Sequence, residues 1–186
     1  MKDPIIKKLI EKYGELDWKE SSDLFEDLVD TIISQQLSGK ASATIFDRFK
    51  KLFTNKFPTA EEILKMPDEK LRGAGLSRAK VKYVKSLAEE IRSGELVLSK
   101  LGKMSEEEVI FHLTKVKGIG RWTAEMILIF SLRRPDVFSL GDLGLRKAVS
   151  NLYKVPIDDL RGIEEISLKW SPYRSTASRY LWKSLG

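Results

Sequence analysis

Apolar residues recur at helical spacing along the whole chain, and no stretch alternates with the two-residue rhythm of a strand. Asp3-Pro4 opens a first helix, a capping carboxylate followed by proline at the first helical position. Ile5, Ile6, Leu9 and Ile10 form its apolar face, and Gly14 ends it. Ser21-Ser22-Asp23 caps a second helix carrying Phe25, Leu28, Val29, Ile32 and Ile33. A third is expected from Ala41 to Phe53, and short helices start at Thr59 and at Pro67. The turn Gly73-Ala74-Gly75-Leu76-Ser77-Arg78 opens a longer helix that closes at Ser93-Gly94. A connector with one short apolar element follows, and Ser105 to Glu108 reads as a capping box for the next helix. From Arg121 to about Arg133 the chain is apolar nearly all round, the mark of a helix at the centre of a protein. Asp142 caps a helix through Leu145, Ala148, Val149 and Leu152. Another runs from Pro156 to near Trp170, and Pro172 begins the last. The pattern predicts an all-α fold.

Leu113 to Asp142 carries the densest set of signals. Val116-Lys117-Gly118-Ile119-Gly120 is a glycine hairpin between two helices, and glycine suits a turn needing positive φ or close backbone approach. Unpaired N–H groups at the start of the second helix, together with its dipole, favour a phosphate there. Lys115, Lys117 and Arg121 surround the same turn. Gly73 to Arg78 is a degenerate echo of this hairpin, and Arg78, Lys82 and Lys85 fall on one face of the helix it opens. That face suits phosphates or plain solvent. Gln35-Gln36-Leu37, followed by Gly39 and Lys40, suits a helix end that enters a groove, or an ordinary polar terminus.

Charge and composition narrow the classes. The 186 residues carry a formal net charge of +6, which fits a polyanionic partner without requiring one. No apolar run reaches membrane-spanning length and no secretory leader is visible, so an intracellular place is expected by default. There is no cysteine, hence no disulfide and no thiolate metal site. His112 is the only histidine and has no second ligand at zinc spacing.

Val-Lys-Gly-Ile-Gly-Arg-Trp-Thr-Ala (116–124), followed by Asp-Val-Phe-Ser-Leu-Gly-Asp (136–142), resembles the helix-hairpin-helix superfamily of DNA glycosylases. Within it the sequence is most similar to the 3-methyladenine DNA glycosylase II, or alkylation-repair, branch, from about Phe25 to the C-terminus. The resemblance implies two helical lobes around a DNA-binding cleft in one domain. The motif lobe would span about 34–134, and the other lobe 1–33 with 135–186. It corresponds to the compact form without an N-terminal β domain, and the missing cysteines exclude the iron–sulfur cluster of the endonuclease III branch.

By position, the resemblance makes Asp142 the catalytic carboxylate, which would stabilise an oxocarbenium-like sugar and orient water. The residues alone allow a plain N-cap. Asp136 is the competitor, more suited to holding the loop. Trp122, Met126, Trp182 and Tyr173 would line the pocket for a flipped base; the aromatic faces attract cationic alkylpurines, although core packing would serve the tryptophans as well. Gln36, or else Leu37, would plug the gap left in the duplex. Lys40, Arg78, Lys117, Gly118, Gly120 and Arg121 would meet DNA. The lysine of bifunctional members is replaced by Trp122, which implies a monofunctional enzyme. The superfamily's hairpin also holds a monovalent cation, Na+ or K+, here through main-chain carbonyls of Thr114, Val116 and Ile119; no cofactor is otherwise required.

The expected activity is excision of alkylated purines such as 3-methyladenine and 7-methylguanine from damaged double-stranded DNA by a monomer. The alternatives are a glycosylase for deaminated or mismatched bases, and a non-catalytic DNA-binding protein of the same motif.

Overall fold

A computed structural model describes residues 2–17, 23–54 and 57–186. The described residues form helices and turns only: α1 (Pro4–Tyr13), α2 (Leu24–Ser34), α3 (Gly39–Lys50), α4 (Ala60–Lys65), α5 (Asp68–Gly73), α6 (Arg78–Ser93), α7 (Leu98–Leu101), α8 (Glu106–Thr114), α9 (Arg121–Met126), a π-turn (Ile127–Ser131), α10 (Leu143–Tyr153), α11 (Leu160–Leu168) and α12 (Arg174–Lys183). The all-α expectation holds. Capping chemistry explains most of the starts. Asp3, Asp23, Ser77, Asp142 and Asp159 each accept first-turn N–H groups, and Thr59 and Ser105 form full capping boxes. Of the expected cap of α2, Ser21 and Ser22 lie outside the described residues.

Three helices differ from expectation, α11 by starting at Leu160 rather than at Pro156. α3 starts at Gly39 and ends at Lys50, so Leu52 and Phe53 lie in the turn beyond it. The long apolar helix after Arg121 is α-helical only to Met126 and then widens into the π-turn. Nor is it buried all round: Trp122 is 44% exposed and Phe130 45%.

The chain divides into two compact units, Ser21–Ile127 and Met1–Glu20 with Leu128–Gly186. The boundaries expected at 33/34 and 134/135 are corrected to 20/21 and 127/128. The physical reason for the first shift is the buried face of α2. Phe25, Leu28, Val29, Ile32 and Ile33 pack against α3 and α6 and so belong with the hairpin.

In the unit Ser21–Ile127, Phe25, Phe46, Phe49 and Phe57 form an aromatic cluster under α2 and α3. Lys80 donates its ammonium to the Ile33 carbonyl at 2.7 Å, a cation on the C-terminus of α2. Burial lowers the pKa of that ammonium. Lys85, assigned to a possible phosphate-facing row, is held by Asp68 instead.

In the other unit, α12 packs against α1 and α10. Trp170, fully buried, meets Phe138 and Tyr153 edge-on or tilted at 5.7 and 5.9 Å. The Tyr153 hydroxyl donates to Asp3, the cap of α1, at 2.8 Å. The loop before Asp142 is pinned to the start of α12. Arg174 donates to Asp136 through Nε (2.9 Å) and Nη2 (3.1 Å), and Ser171 donates to the same carboxylate at 2.8 Å. The Val137 N–H donates to the buried Ser175 hydroxyl at 3.0 Å. Asp136 is thus a loop brace, as expected. Burial alone would raise its carboxyl pKa, but the bonds from Arg174 and Ser171 outweigh it and hold it below its ordinary value.

A carboxyl lowered on folding stabilises above its unfolded pKa, near 4, and loses that contribution as pH falls through its folded value. Asp136→Asn is therefore expected to cost about 1–3 kcal/mol at pH 7. The difference from the parent should shrink steadily below about pH 4. Urea unfolding at both pH values measures this; a pH-independent cost would mean the hydrogen-bond geometry matters and the charge does not.

Candidate functional site

The hairpin forms because three local constraints agree. α8 ends at Thr114, the Val116 N–H returns to the Leu113 carbonyl, and the Ile119 N–H returns to Val116 at 3.0 Å. Val116 and Ile119 are buried and anchor the turn. Gly118 sits at φ +93°, and its missing side chain is where the Tyr83 ring lies: a Cβ would come within 2.2 Å of Tyr83 Cγ. Gly120 is the N-cap of α9, and no side chain caps that helix.

Within the hairpin, before the second helix, the Lys117 N–H donates to Ser86 Oγ at 3.2 Å. The cations around the turn also divide. Lys117 is exposed, while Lys115 lies over the Phe111 ring at 4.6 Å. Arg121, expected to meet DNA, is committed to two carboxylates: Nη2 reaches Glu107 at 2.8 Å and Nε reaches Glu125 at 3.0 Å. Its local work is to clamp α8 to α9. Spacing could show this only in part, since Glu125 is one turn away but Glu107 belongs to the previous helix.

The α2–α3 turn stands beside the hairpin within the same unit. Gln35 Nε2 donates to the Gly118 carbonyl at 2.9 Å. The sequence marked Gln35 as part of this polar turn but not its bond to the hairpin. Gln36 follows in the left-handed region at φ 57°, which non-glycine residues rarely adopt, and both Gln36 and Leu37 are exposed. Gln36 is the left-handed residue just past the C-terminus of α2. Gln36, Leu37, Ser34, Asp30 and the exposed Trp122 ring line one cavity of about 510 Å³. Lys40 and Arg78 are exposed at the first turns of α3 and α6, and Met126 is half-buried on α9.

The other unit builds a second arrangement around Asp142. Its Oδ1 accepts the Leu145 N–H at 2.7 Å as the cap of α10, and also the Trp182 indole N–H at 2.9 Å. The carboxylate is oriented from two sides, by its own helix and by α12. The Trp182 ring stacks on Phe130 with centroids 5.6 Å apart and planes at 30°. Phe130 comes from the π-turn and was not singled out from sequence; a partly exposed phenylalanine in an apolar run carries no sequence signal. Gly144 permits the pairing, since a Cβ there would sit 3.0 Å from Asp142 Oδ1 and 3.4 Å from Trp182 Nε1. Tyr173, the N-cap of α12, is 52% exposed and makes no hydrogen bond or ring contact with Asp142 or Trp182 among the described residues. His112 is half-buried, edge-on to Phe111.

A carboxylate fixed by two N–H donors beside an open aromatic pair can stabilise a developing cation and present one oxygen to water. A turn tethered to a glycine hairpin can address a backbone. These features agree with the comparisons. The family pattern described as "HhH-GPD superfamily base excision DNA repair protein" matches residues 29–172, and the chain belongs to that superfamily. DNA-3-methyladenine glycosylase 1 of Schizosaccharomyces pombe is 41% identical over 180 residues, 95% of this chain and 79% of its own length. A DNA-3-methyladenine glycosylase of Bacillus subtilis is 31% identical over 98% of this chain and 64% of its own length. Among solved structures, the S. pombe 3-methyladenine DNA glycosylase Mag1 in complex with abasic DNA is similar at a TM-score of 0.87 and 39% identity, over 98% of this chain and 91% of that one.

Gly118→Ala must meet both the positive φ and the Tyr83 ring, so it is expected to lose about 2–4 kcal/mol in urea unfolding. Tyr83→Ala in the same background should recover part of that loss; no recovery would leave φ as the sole constraint. Gly144→Ala is expected to differ. Helix propensity gains up to about 1 kcal/mol, so stability changes little. The Trp182 indole N–H resonance should nevertheless move upfield as its bond to Asp142 lengthens, and an unmoved resonance would show that the pair accommodates the methyl group.

Proposed function

We propose that this chain is a monofunctional DNA glycosylase that flips alkylated purines of the 3-methyladenine and 7-methylguanine type out of duplex DNA and excises them in base-excision repair. The observation that carries the reading is the Asp142 carboxylate, held by the Leu145 and Trp182 N–H groups at the position where the glycosylase motif places its aspartate. Identity to the two DNA-3-methyladenine glycosylases above supports the substrate class.

The reaction breaks the bond between the sugar C1′ and the base nitrogen. The sugar passes through an oxocarbenium-like state, which Asp142 stabilises electrostatically; it then takes hydroxide from a water whose proton the carboxylate receives. A cationic alkylpurine leaves as a neutral base and needs no general acid, so one placed carboxylate suffices. Trp122, Trp182 and Tyr173 offer aromatic faces to the electron-poor base, Phe130 supports Trp182, and Met126 softens the wall. Gln36, with Leu37 beside it, takes the place of the flipped nucleotide. Gly118, Gly120, Lys117, Lys40, Arg78 and Arg121 meet phosphates, and Arg121 also braces the hairpin through Glu107 and Glu125. Because Trp122 stands where a Schiff-base lysine would, the product is an abasic site with an unbroken strand. The protein works as a monomer, in the compartment that holds the DNA.

The hairpin carbonyls of Thr114, Val116 and Ile119 fit a monovalent cation. All three are hard neutral oxygens, and Thr114 closes α8, where the dipole favours positive charge. Val116 already accepts the Ile119 N–H and keeps a second lone pair. Such an ion would tie the hairpin to a DNA phosphate.

Release of free base from methylated duplex DNA tests the assignment. Asp142→Asn retains an oxygen that can cap α10 and is expected to lower release about 100-fold or more, with DNA binding retained. DNA binding without base release by the unsubstituted protein would overturn the alkylpurine reading and favour a binding module. Release of hypoxanthine in place of methylated purines would move it to deaminated bases.

A further inference from the structure

The cavity beside Trp122 contains a carboxylate that the reaction above does not use. Asp30, on α2, lines it with Ser34, Gln36, Leu37 and Trp122. Asp30 is half-buried, and its Oδ1 accepts only the Ser34 hydroxyl, at 3.3 Å. It has no ion-pair partner among the described residues. Lys50, a cation that acts on Asp30 through space, is shared by Glu26 at 3.6 Å and Asp47 at 3.8 Å and lies over the Phe46 ring at 4.6 Å. Glu26 and Asp27, neighbours on α2, add to the negative potential at Asp30 rather than relieving it.

An unpaired, partly desolvated carboxylate is costly, and in a chain of net charge +6 read as binding DNA it also opposes the phosphates. A cation arriving in the cavity would offset both costs. Burial, reinforced by Asp27 and Glu26 against the Ser34 and Lys50 contributions, already holds the Asp30 carboxyl above its ordinary pKa, the response of a carboxylate lacking its counterion. The Trp122 ring, 44% exposed, lines the same cavity, and an indole attracts positive charge.

We propose that Asp30 is a specificity residue that selects positively charged bases, acting with the Trp122 ring as a paired cation-binding wall of the cavity. The proposal rests on the glycosylase reading for its biological substrate, but the cavity's charge preference can be measured without it. Asp30 accepts N–H groups from the base edge while its charge favours a methylated, cationic purine over a neutral base of the same size. The Ser34 hydroxyl orients it.

The experiment compares the parent protein with Asp30→Asn, and with Asp27→Asn as a control for through-space charge. Release of cationic 7-methylguanine and of neutral hypoxanthine from duplex DNA is measured, together with binding of 7-methylguanosine and guanosine by tryptophan fluorescence. Asp30→Asn is expected to lower 7-methylguanine release about tenfold and to leave hypoxanthine release within twofold. It should also abolish the preference for 7-methylguanosine over guanosine. Asp27→Asn should leave each ratio within twofold. Equal losses for both bases, or an unchanged nucleoside preference, would overturn the proposal and leave Asp30 a structural residue. If the parent releases no methylated base, the glycosylase reading fails, and the nucleoside preference alone decides the role of Asp30. A parent without that preference would end the proposal as well.

Discussion

The segment before Asp142 has no secondary structure of its own, and its shape comes from the start of α12. Arg174 grips Asp136, and the buried Ser175 hydroxyl accepts the Val137 N–H. These bonds fix where the loop delivers Asp142, and the same helix then carries Trp182 back to that carboxylate. One helix therefore sets both the loop that brings the aspartate and the indole that aims it. The ion pair is partly buried with good fork geometry, the case in which such a pair contributes beyond a surface contact.

The hairpin shows the same economy in the other unit. Gly118 is required twice, by φ and by Tyr83, and its carbonyl is the anchor for Gln35. The turn bearing Gln36 is thus registered against the hairpin by one amide, while Lys80 holds the end of α2 from behind. Polar side chains bonded to backbone position these turns, and apolar packing supplies the frame beneath them.

Much of this was legible in the sequence because it is encoded locally. Helix starts follow from Asp3, Thr59, Ser105 and Asp142, whose caps depend on residues within one turn. The hairpin glycines and the Asp142 position were visible for the same reason. What escaped depends on partners far apart in the chain. The ion pair of Arg121 with Glu107 was not visible because Glu107 lies a helix away. Lys85 looked like a member of a basic row because Asp68 lies on another helix. Tyr83, Gln35 and Phe130 gain their roles only through tertiary contact. The unit boundaries shifted because the apolar face of α2 can be read from periodicity, but its packing partner cannot.

The π-turn has a consequence for how this chain can vary over time. Widening the helix at Ile127–Ser131 inserts one residue of angular phase, roughly 100° of helix rotation, within the turn that carries Phe130. Apolar residues inside the turn can be exchanged for one another while that phase is kept. Losing a single codon there would restore a regular helix and swing Phe130 off the Trp182 ring, and gaining one would widen the turn further. The segment should therefore tolerate drift in composition and resist drift in length, the reverse of what a surface loop permits.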